Sequence, residues 1–374
     1  MISATTIKDE IKKNKNHLFK SFFAEQIDNS YFFKIKKLNK FKTVVVIGMG
    51  GSILGSKAIY SFLKHKIKKK FIFIDNLDQV FLEKIRNEEN LSKTLFLLIS
   101  KSGNTSETII NSSYFKPFLK KTNVIVISEN KNNILSKLAR KKNFIFFKHN
   151  HFIGGRYSVF SEVGMVPAYL MGLNVKKIKS KLPKILKNKN ILSNSIRSIS
   201  NINKKKIKIL IFFNYIPELN DFLFWAQQLF AESLGKNKKG FIPVISNSPK
   251  DHHSLMQLYL DGPRDKMFYV FSSNKYKKMK LNCDFFGKEM RYLKKRSYQD
   301  VKISQKNAFI KILREKRIPF REFKINNFDE STLGELFLKF MFETIGLAKI
   351  MKVNPYDQPA VEKVKILTKK FLIS

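Results

Sequence analysis

Residues 44–55 read VVVIGMGGSILG, an apolar run that ends in closely spaced glycines and leads into a helical pattern. A strand, a glycine turn and a helix in this order let an anionic or hydroxyl-rich ligand approach the backbone N–H groups at the helix N-terminus. A dinucleotide-binding fingerprint would need glycine at Ile53, and a P-loop would need lysine directly after Gly55, where Ser56 stands. The spacing argues against both nucleotide motifs, and a tight turn without a ligand remains the alternative.

Strand-like and helix-like segments alternate on both sides of this turn. Strands are predicted at residues 44–47, 71–75, 94–99, 123–128, 144–147, 207–214, 241–246, 267–271 and 320–323. Helical patterns occupy residues 52–63, 79–87, 105–119, 132–140, 157–173, 176–203, 221–232, 308–317, 335–348 and 361–371. Such alternation predicts parallel sheets covered on both faces, and 374 residues exceed what one core usually supports. The predicted fold class is α/β, with two lobes that each contain a parallel, doubly wound sheet flanked by helices.

The domain boundaries follow from the same pattern. An N-terminal helical segment at residues 1–40 precedes a first lobe at residues 41–175 and a second lobe at residues 176–350. A C-terminal helix lies within residues 351–374, and Pro355 and Pro359 precede it. We expect the lysine-rich residues 176–203 to cross between the lobes.

Composition limits the possible partners. The formal net charge is +43, but the lysines are spread along almost every segment, which favours a general compositional bias over a specific nucleic-acid surface. The single cysteine, Cys283, excludes an internal disulfide and a multi-cysteine zinc site, and it is consistent with a reducing compartment. No apolar run approaches the roughly 20 residues of a membrane span. We therefore expect a cytoplasmic protein without membrane segments or bound metal.

A second motif, SKSGNTSET at residues 100–108, follows the strand that ends at Ile99. Five hydroxyl side chains, a glycine and a lysine surround a predicted helix start, where unpaired N–H groups and the helix dipole favour a dianion. The position, at the carboxyl end of a parallel strand, is typical of phosphate binding. The alternative is an ordinary N-cap by Ser102 or Thr105, which would explain one hydroxyl but not the cluster.

Further blocks extend the pattern. They are GGRYS at residues 154–158 followed by Gly164, QLFAESLGK at 228–236, HSLMQ at 253–257 and DQPAVE at 357–362. Together with the glycine turn and the hydroxyl-rich motif, and in this order, they resemble the glucose-6-phosphate isomerase family from Val44 to Lys365. The resemblance implies a sugar-isomerase-like fold in each lobe and an aldose–ketose isomerase that uses no metal or organic cofactor.

Moving a carbonyl between C1 and C2 of a sugar phosphate requires ring opening, a base for a carbon-bound proton, stabilisation of an enediolate and a grip on the phosphate. The resemblance implies Glu232 as the base, Arg156 as the stabilising cation and His253 as the ring-opening acid and base. His252 is a neighbouring imidazole that departs from the family pattern. Without the resemblance, Glu232 would be interpreted as a solvated helix charge and Arg156 as part of a structural ion pair.

The resemblance also implies the groups that bind the substrate. A lysine on the terminal helix, Lys365 with Lys363 as the competitor, would contact the ring oxygen and hydroxyls. The remaining substrate-binding residues would be Gly51, Ser52, Ser100, Lys101, Ser102, Thr105, Glu107 and Thr108.

The implied reaction is the interconversion of glucose 6-phosphate and fructose 6-phosphate in glycolysis and gluconeogenesis, by a homodimer in which the histidine serves the partner's pocket. A relaxed phosphoglucose/phosphomannose isomerase and a non-catalytic sugar-phosphate-binding protein are the alternatives. The first would generally lack the ESLGK block at residues 232–236, and the second would lose the acid–base residues.

Overall fold

A computed structural model of the protein describes residues 21–22, 29–187, 207–276, 279–282 and 287–373. Strands within these ranges form two separate sheets. The first sheet contains β1 (Thr43–Gly48), β2 (Lys70–Ile74), β3 (Thr94–Ile99), β4 (Val124–Ser128) and β5 (Ile145–Lys148). The second contains β6 (Ile209–Asn214), β7 (Ile242–Asn247), β8 (Lys266–Ser272) and β9 (Phe320–Lys324).

The two sheets have the same winding. Their strand orders are β2-β1-β3-β4-β5 and β7-β6-β8-β9, and every pairing is parallel. In each sheet the chain starts at the second position, goes to the near edge and then crosses to the other side. This arrangement confirms the predicted α/β class, and every predicted strand overlaps an observed one.

Helices connect and cover the strands. They are α1 (Asn29–Ile35), α2 (Leu54–Phe62), α3 (Gln79–Glu88), α4 (Ser106–Tyr114), α5 (Ile134–Lys142), α6 (Glu162–Leu170), α7 (Val175–Lys179), α8 (Leu182–Lys187), α9 (Asn220–Leu234), α10 (Met256–Asp261), α11 (Tyr298–Glu315), α12 (Glu330–Ile350) and α13 (Pro359–Phe371). Within the described ranges, no helix has the length and apolar character needed to cross a membrane.

Three predicted helices were wrong in extent. The helix predicted at 308–317 is only the carboxyl part of α11, which begins at Tyr298 after the N-cap Ser297. The helix predicted at 105–119 ends at Tyr114, and Pro117 lies in a separate 3₁₀ turn. The helix predicted at 157–173 is interrupted, because a 3₁₀ segment (Gly155–Phe160) precedes α6 and Ser161 caps α6 by accepting from the N–H of Val163. The break occurs in an apolar stretch, so hydrophobic periodicity does not reveal it.

Other predictions fall partly or wholly outside the described ranges. Of the crossing segment at 176–203, the structure describes only the part up to residue 187, which contains most of α7 and all of α8. The position of Cys283 also lies outside the described residues. The proposed domain boundaries remain predictions.

A continuous apolar core joins the two sheets. Its largest cluster includes Val44 of the first sheet and Phe212 of the second, with helix α9 between them. Trp225 of α9 is buried and packs edge-on against Phe337 of α12, with ring centroids 4.7 Å apart. The carboxyl end of α9, which bears Glu232, is therefore held firmly at the junction between the two sheets.

A buried polar network stabilises the second sheet against α12. The guanidinium of Arg321 on β9 donates to Glu343 at 2.7 Å and to the hydroxyl of Tyr269 at 3.0 Å, and that hydroxyl donates to Glu343. Glu343 is 2% exposed, so its charge depends on these partners for stabilisation.

We predict that Glu343→Gln lowers the free energy of unfolding by about 3 kcal/mol, because it removes the buried charge that accepts from Arg321 and Tyr269. The matched control is Glu335→Gln on the same helix, whose half-exposed pair with Lys339 should contribute less than about 1 kcal/mol. Denaturant melts of the two variants measure the difference. Equal losses of unfolding free energy in the two variants would show that burial of Glu343 does not strengthen its interactions.

Candidate active site

The two predicted ligand-binding motifs lie side by side at one edge of the first sheet. Gly48 and Ile99, the last residues of β1 and β3, are register partners, so the segments that follow both strands start together. Strand order reverses between β1 and β3, and crevices at such switch points are the usual ligand sites of doubly wound sheets. We call residues 48–52 the first turn and residues 100–105, where the sequence predicts phosphate binding, the phosphate loop.

The phosphate loop is held by its own hydroxyl groups. Ser100 Oγ lies 2.8 Å from Thr105 Oγ1 and accepts from the N–H of Gly103 at 3.1 Å. Gly103 has φ +67°, and a Cβ there would lie 2.0 Å from Asn133 Oδ1, so the loop requires glycine. Thr105 precedes α4 but its side chain makes no capping hydrogen bond. An ordinary N-cap therefore does not account for its hydroxyl.

The other residues of this motif have different environments. Ser102 is exposed and accepts from the N–H of Asn104 at 3.2 Å, whereas Thr108 is fully buried and its hydroxyl has no partner among the described residues. Glu107 is half-buried and accepts from Ser106 at 2.9 Å. Thr108 is thus placed beneath the loop, while Ser102 lies on its outer surface.

Lys101 is the cation of the phosphate loop. Its ammonium lies 4.0 Å from the carboxylate of Glu129, which is buried and also pairs with Lys131 at 2.8 Å. Burial lowers the pKa of Lys101, and the charge of Glu129 partly offsets this effect. Lys101 is therefore only partly neutralised by the protein and is available to an anionic ligand.

Arg156 organises the other side of the crevice. It follows the first sheet, is 1% exposed, and uses all five of its N–H groups. The acceptors are Ser233 Oγ at 2.8 Å, Glu232 Oε2 at 3.0 Å, Gln358 Oε1 at 2.6 Å, the carbonyl of Pro355 at 2.6 Å and that of Asp357 at 3.0 Å. One guanidinium thus joins the end of α9 and the segment before α13 to the first lobe.

Glu232 is held in place from two sides. One carboxylate oxygen accepts from Arg156, and the other accepts from Gln228 Nε2 at 2.8 Å. The side chain remains 30% exposed, so part of the carboxylate faces the crevice. Glu232 is therefore an oriented carboxylate and not a freely solvated helix charge.

The first turn packs directly on this cluster. A Cβ at Gly51 would lie 2.1 Å from the carbonyl carbon of Gly155, and one at Gly50 would lie 2.8 Å from Gln228 Nε2. Ser158 Oγ donates to the carbonyl of Gly51 at 3.2 Å. The glycines of the turn are thus explained by close approach to the Arg156 and Glu232 segments. Ser52 is half-buried beside them.

The two adjacent histidines, His252 and His253, have different environments. The ring of His252 is half-buried beside Phe213 and Phe309, with Nε2 2.7 Å from the hydroxyl of Tyr215, and burial lowers its pKa. His253 is exposed, and none of the described residues makes a hydrogen bond to its imidazole. Of the two imidazoles, that of His253 is the more exposed.

The residues of the terminal helix α13 are exposed along its whole length. None of its residues is buried, and Val364 and Ile366 are 65% and 68% exposed. Among the described residues, Lys365 pairs with Glu362 at 2.7 Å, and its side chain is 63% exposed. Within the described residues, neither Lys365 nor His253 makes a hydrogen bond or ion pair with Arg156 or Glu232.

Three residues of the site had no predicted role. Gln228, Ser233 and Gln358 contact Glu232 or Arg156 directly. Gln228 lies four residues before Glu232 on α9, a spacing that places two side chains on one helix face and could have indicated this contact. Ser233 and Gln358 carried no such signal, because their partner Arg156 is 77 and 202 residues away.

No group of three or more metal-ligating side chains occurs in the described part of the chain. The fold and the crevice define a two-lobed α/β sugar-phosphate isomerase. The chain belongs to the phosphoglucose isomerase family, because the sequence model of that family matches residues 3–373.

Relatives of known name agree with this family. A glucose-6-phosphate isomerase from Methanocaldococcus jannaschii is 33% identical over 356 residues, which cover 92% of this chain and 87% of that protein. Another, from Mycoplasmopsis synoviae, is 32% identical, covering 87% and 81%.

Solved structures share the fold. A hypothetical protein from Thermus thermophilus superposes with a TM-score of 0.87 at 22% identity, covering 99% of this chain and 95% of that one. A glucose-6-phosphate isomerase from Chlamydia trachomatis superposes with a TM-score of 0.72 at 19% identity, covering 92% and 73%.

Family membership makes the protein an enzyme that interconverts glucose 6-phosphate and fructose 6-phosphate. This confirms the predicted reaction. The relaxed phosphomannose isomerase and the non-catalytic binding protein are not favoured.

We predict that Arg156→Lys lowers kcat/KM for glucose 6-phosphate on the order of a hundredfold, because an ammonium cannot hold Glu232 and the 355–358 segment with one planar fork. Arg140→Lys, at an exposed position on α5, is the control and should leave the rate unchanged. A coupled spectrophotometric assay measures both. Normal activity of Arg156→Lys would indicate that positive charge alone is sufficient.

Proposed function

We propose that the isomerisation proceeds by ring opening and a cis-enediol, with Glu232 moving the proton between C2 and C1. The observation that carries this assignment is the carboxylate of Glu232, held by Arg156 and Gln228 and still 30% exposed to the crevice. A base for a carbon-bound proton must be fixed relative to the substrate, because misplacement by about 1 Å can cost a hundredfold in rate.

The proton transfers balance without a cofactor. Glu232 takes the proton from C2 of the open-chain aldose, the C–H electron pair forms the C1–C2 double bond, and the π pair of the C1 carbonyl moves to its oxygen, which takes a proton from water. Glu232 then gives its proton to C1, the C1–C2 π pair forms the new C1–H bond, and the C2 hydroxyl returns a proton to water as the C2 carbonyl forms. The carboxylate ends in the form in which it began.

Arg156 stabilises this chemistry mainly by its position and charge. All five of its N–H groups already have protein acceptors, so a direct bond to the enediolate would have to displace one of them. We propose that Arg156 orients Glu232 and places a cation near the developing negative charge.

The phosphate loop would bind the dianionic end of the substrate. Ser100, Ser102 and Thr105 supply hydroxyl groups, Lys101 supplies charge, and the uncapped start of α4 supplies N–H groups. Thr108 would act from beneath the loop, whereas Gly51, Ser52 and Glu107 line its approach. The field of a chain with net charge +43 would also attract anionic sugars.

His253 would open the sugar ring. Its imidazole would take the proton of the C1 hydroxyl as the C1 carbonyl forms and the bond to the ring oxygen breaks, and would then give that proton to the ring oxygen. Imidazole is the side chain suited to both steps near neutral pH. Its exposure in the single chain supports a role that is completed by another subunit.

We propose a cytoplasmic homodimer in which His253 enters the partner's pocket. A chain of 374 residues with one cysteine fits a reducing compartment. Two exposed features support association with a second copy, namely the imidazole of His253 and the apolar side chains Val364 and Ile366 of α13. Docking of α13 would also place Lys365, or its competitor Lys363, in a pocket.

The decisive experiment separates carbon-proton transfer from ring opening. Glu232→Gln should abolish isomerisation and solvent exchange of the C2 proton, but should still interconvert the α and β anomers of glucose 6-phosphate. His253→Ala should lose catalysed anomer interconversion and keep part of its activity on open-chain substrate. Exchange NMR measures both reactions.

The control is Glu315→Gln, which removes an exposed carboxylate at the end of α11 and should behave as the unmodified enzyme. Near-normal C2 exchange by Glu232→Gln would show that another group is the base.

A second prediction tests the shared pocket. Inactive Glu232→Gln and His253→Ala chains are unfolded together, refolded and allowed to pair at random. Mixed dimers each contain one pocket with both groups intact, so activity should recover to roughly a quarter of the unmodified level. Each variant refolded alone is the control. A mixed dimer that shows no recovery would place both residues in one chain's pocket.

A further inference from the structure

The turn after β7 has a feature that the proposed mechanism does not use, the buried carboxylate of Asp251. It lies two residues before His253, between β7 and α10. We propose that Asp251 is a positioning residue for His253, so that its loss impairs ring opening and acts only through that imidazole. This inference rests on the proposed ring-opening role of His253.

Asp251 holds both ends of the turn. Its Oδ2 atom accepts from the main-chain N–H of Asn247 at 2.7 Å and from Ser246 Oγ at 2.9 Å, both at the end of β7. Its Oδ1 atom accepts from Ser254 Oγ at 3.1 Å, directly after His253. The side chain of Asp251 is largely buried, and its bond to Ser246 is shielded from water, whereas its bonds to Asn247 and Ser254 are part-buried.

The backbone of the turn is anchored by further bonds. The N–H of His253 donates to the carbonyl of Lys250 at 3.1 Å, and that of Leu255 donates to the carbonyl of Asp251 at 3.1 Å. The neighbouring ring of His252 is fixed against Tyr215. Every residue adjacent to His253 is therefore tied down, whereas the imidazole of His253 is exposed.

The exposed imidazole on a well-held backbone indicates the role of Asp251. An acid–base group must be held within about 0.5 Å of its working position, and the imidazole of His253 has no side-chain partner among the described residues to hold it. Its position must then come from the backbone on either side. Asp251 is the side chain that links those two sides.

Asp251 is not itself placed to transfer protons. Both carboxylate oxygens accept hydrogen bonds from the turn, and the ammonium of Lys250, which is exposed, lies 4.0 Å from Oδ1. Its effect on the reaction must therefore pass through the geometry of the turn.

A double-mutant cycle tests the inference. The rate of catalysed anomer interconversion of glucose 6-phosphate is measured by exchange NMR for the full-length enzyme and for Asp251→Asn, Asp251→Ala, His253→Ala and the corresponding double variants. Asp251→Asn keeps the side-chain volume but loses one acceptor oxygen, and Asp251→Ala loses every side-chain hydrogen bond of Asp251. We expect losses of roughly tenfold and a hundredfold, respectively, when His253 is present.

In the His253→Ala background, the same Asp251 substitutions should change the rate less than about twofold, because residues that act as a unit are not additive. Asp261→Asn, which removes an exposed carboxylate at the end of α10, is the control and should leave the rate unchanged. Thermal melts identify the variants that fold. If Asp251→Ala does not fold, the double-mutant cycle is evaluated with Asp251→Asn.

The outcomes are distinguishable. Equal losses with and without His253 would overturn the positioning role and assign Asp251 to general stability of the lobe. A normal anomer rate in His253→Ala would refute the proposed role of His253 and this inference with it, while isomerisation by the unmodified enzyme would still stand. A normal rate in both Asp251 variants would also overturn the inference.

Discussion

The hydrogen bonds of Arg156 connect parts of the chain that lie 76 to 202 residues apart. A buried guanidinium is costly unless its charge is paired and every N–H finds an acceptor, and here Glu232 supplies the charge while four further groups complete the set. The loop after β5, the end of α9 and the segment before α13 must therefore come together at one point. If the two lobes separated, the guanidinium of Arg156 would lose Glu232 as its counter-charge.

The same arrangement determines the position of the substrate crevice. Trp225 on α9 donates to the carbonyl of Arg156 at 3.1 Å, so the main chain of the arginine is held as well as its side chain. Gly51 then packs against Gly155 without room for a Cβ. The first turn, at the switch point of the first sheet, thus lies against the segment that holds Glu232. The loop that is proposed to bind phosphate and the carboxylate that is proposed to transfer the proton therefore belong to one connected unit.

Several groups outside this junction are exposed in the single chain. They include His253, Lys365 and the apolar side chains Val364 and Ile366 of α13. Buried apolar area is the main driving force for association, so the proposed dimer would explain these features together. The anchored turn around Asp251 fits this explanation, because a side chain that reaches into another subunit needs a firm base in its own.

The sequence by itself determined the features that depend on neighbouring residues. Apolar runs located each strand, and the turn after Ile47 and the hydroxyl cluster after Ile99 were recognisable because turn chemistry and helix starts are local properties. The interruption at Ser161 was missed, since an apolar 3₁₀ segment and an apolar helix look alike in sequence. Only the tertiary structure decided that Glu232 is an oriented carboxylate, that His252 is packed while His253 is free to reach a substrate, and that Gln358 belongs to the site. These distinctions depend on contacts between distant segments, and such contacts leave no periodic signal in the chain.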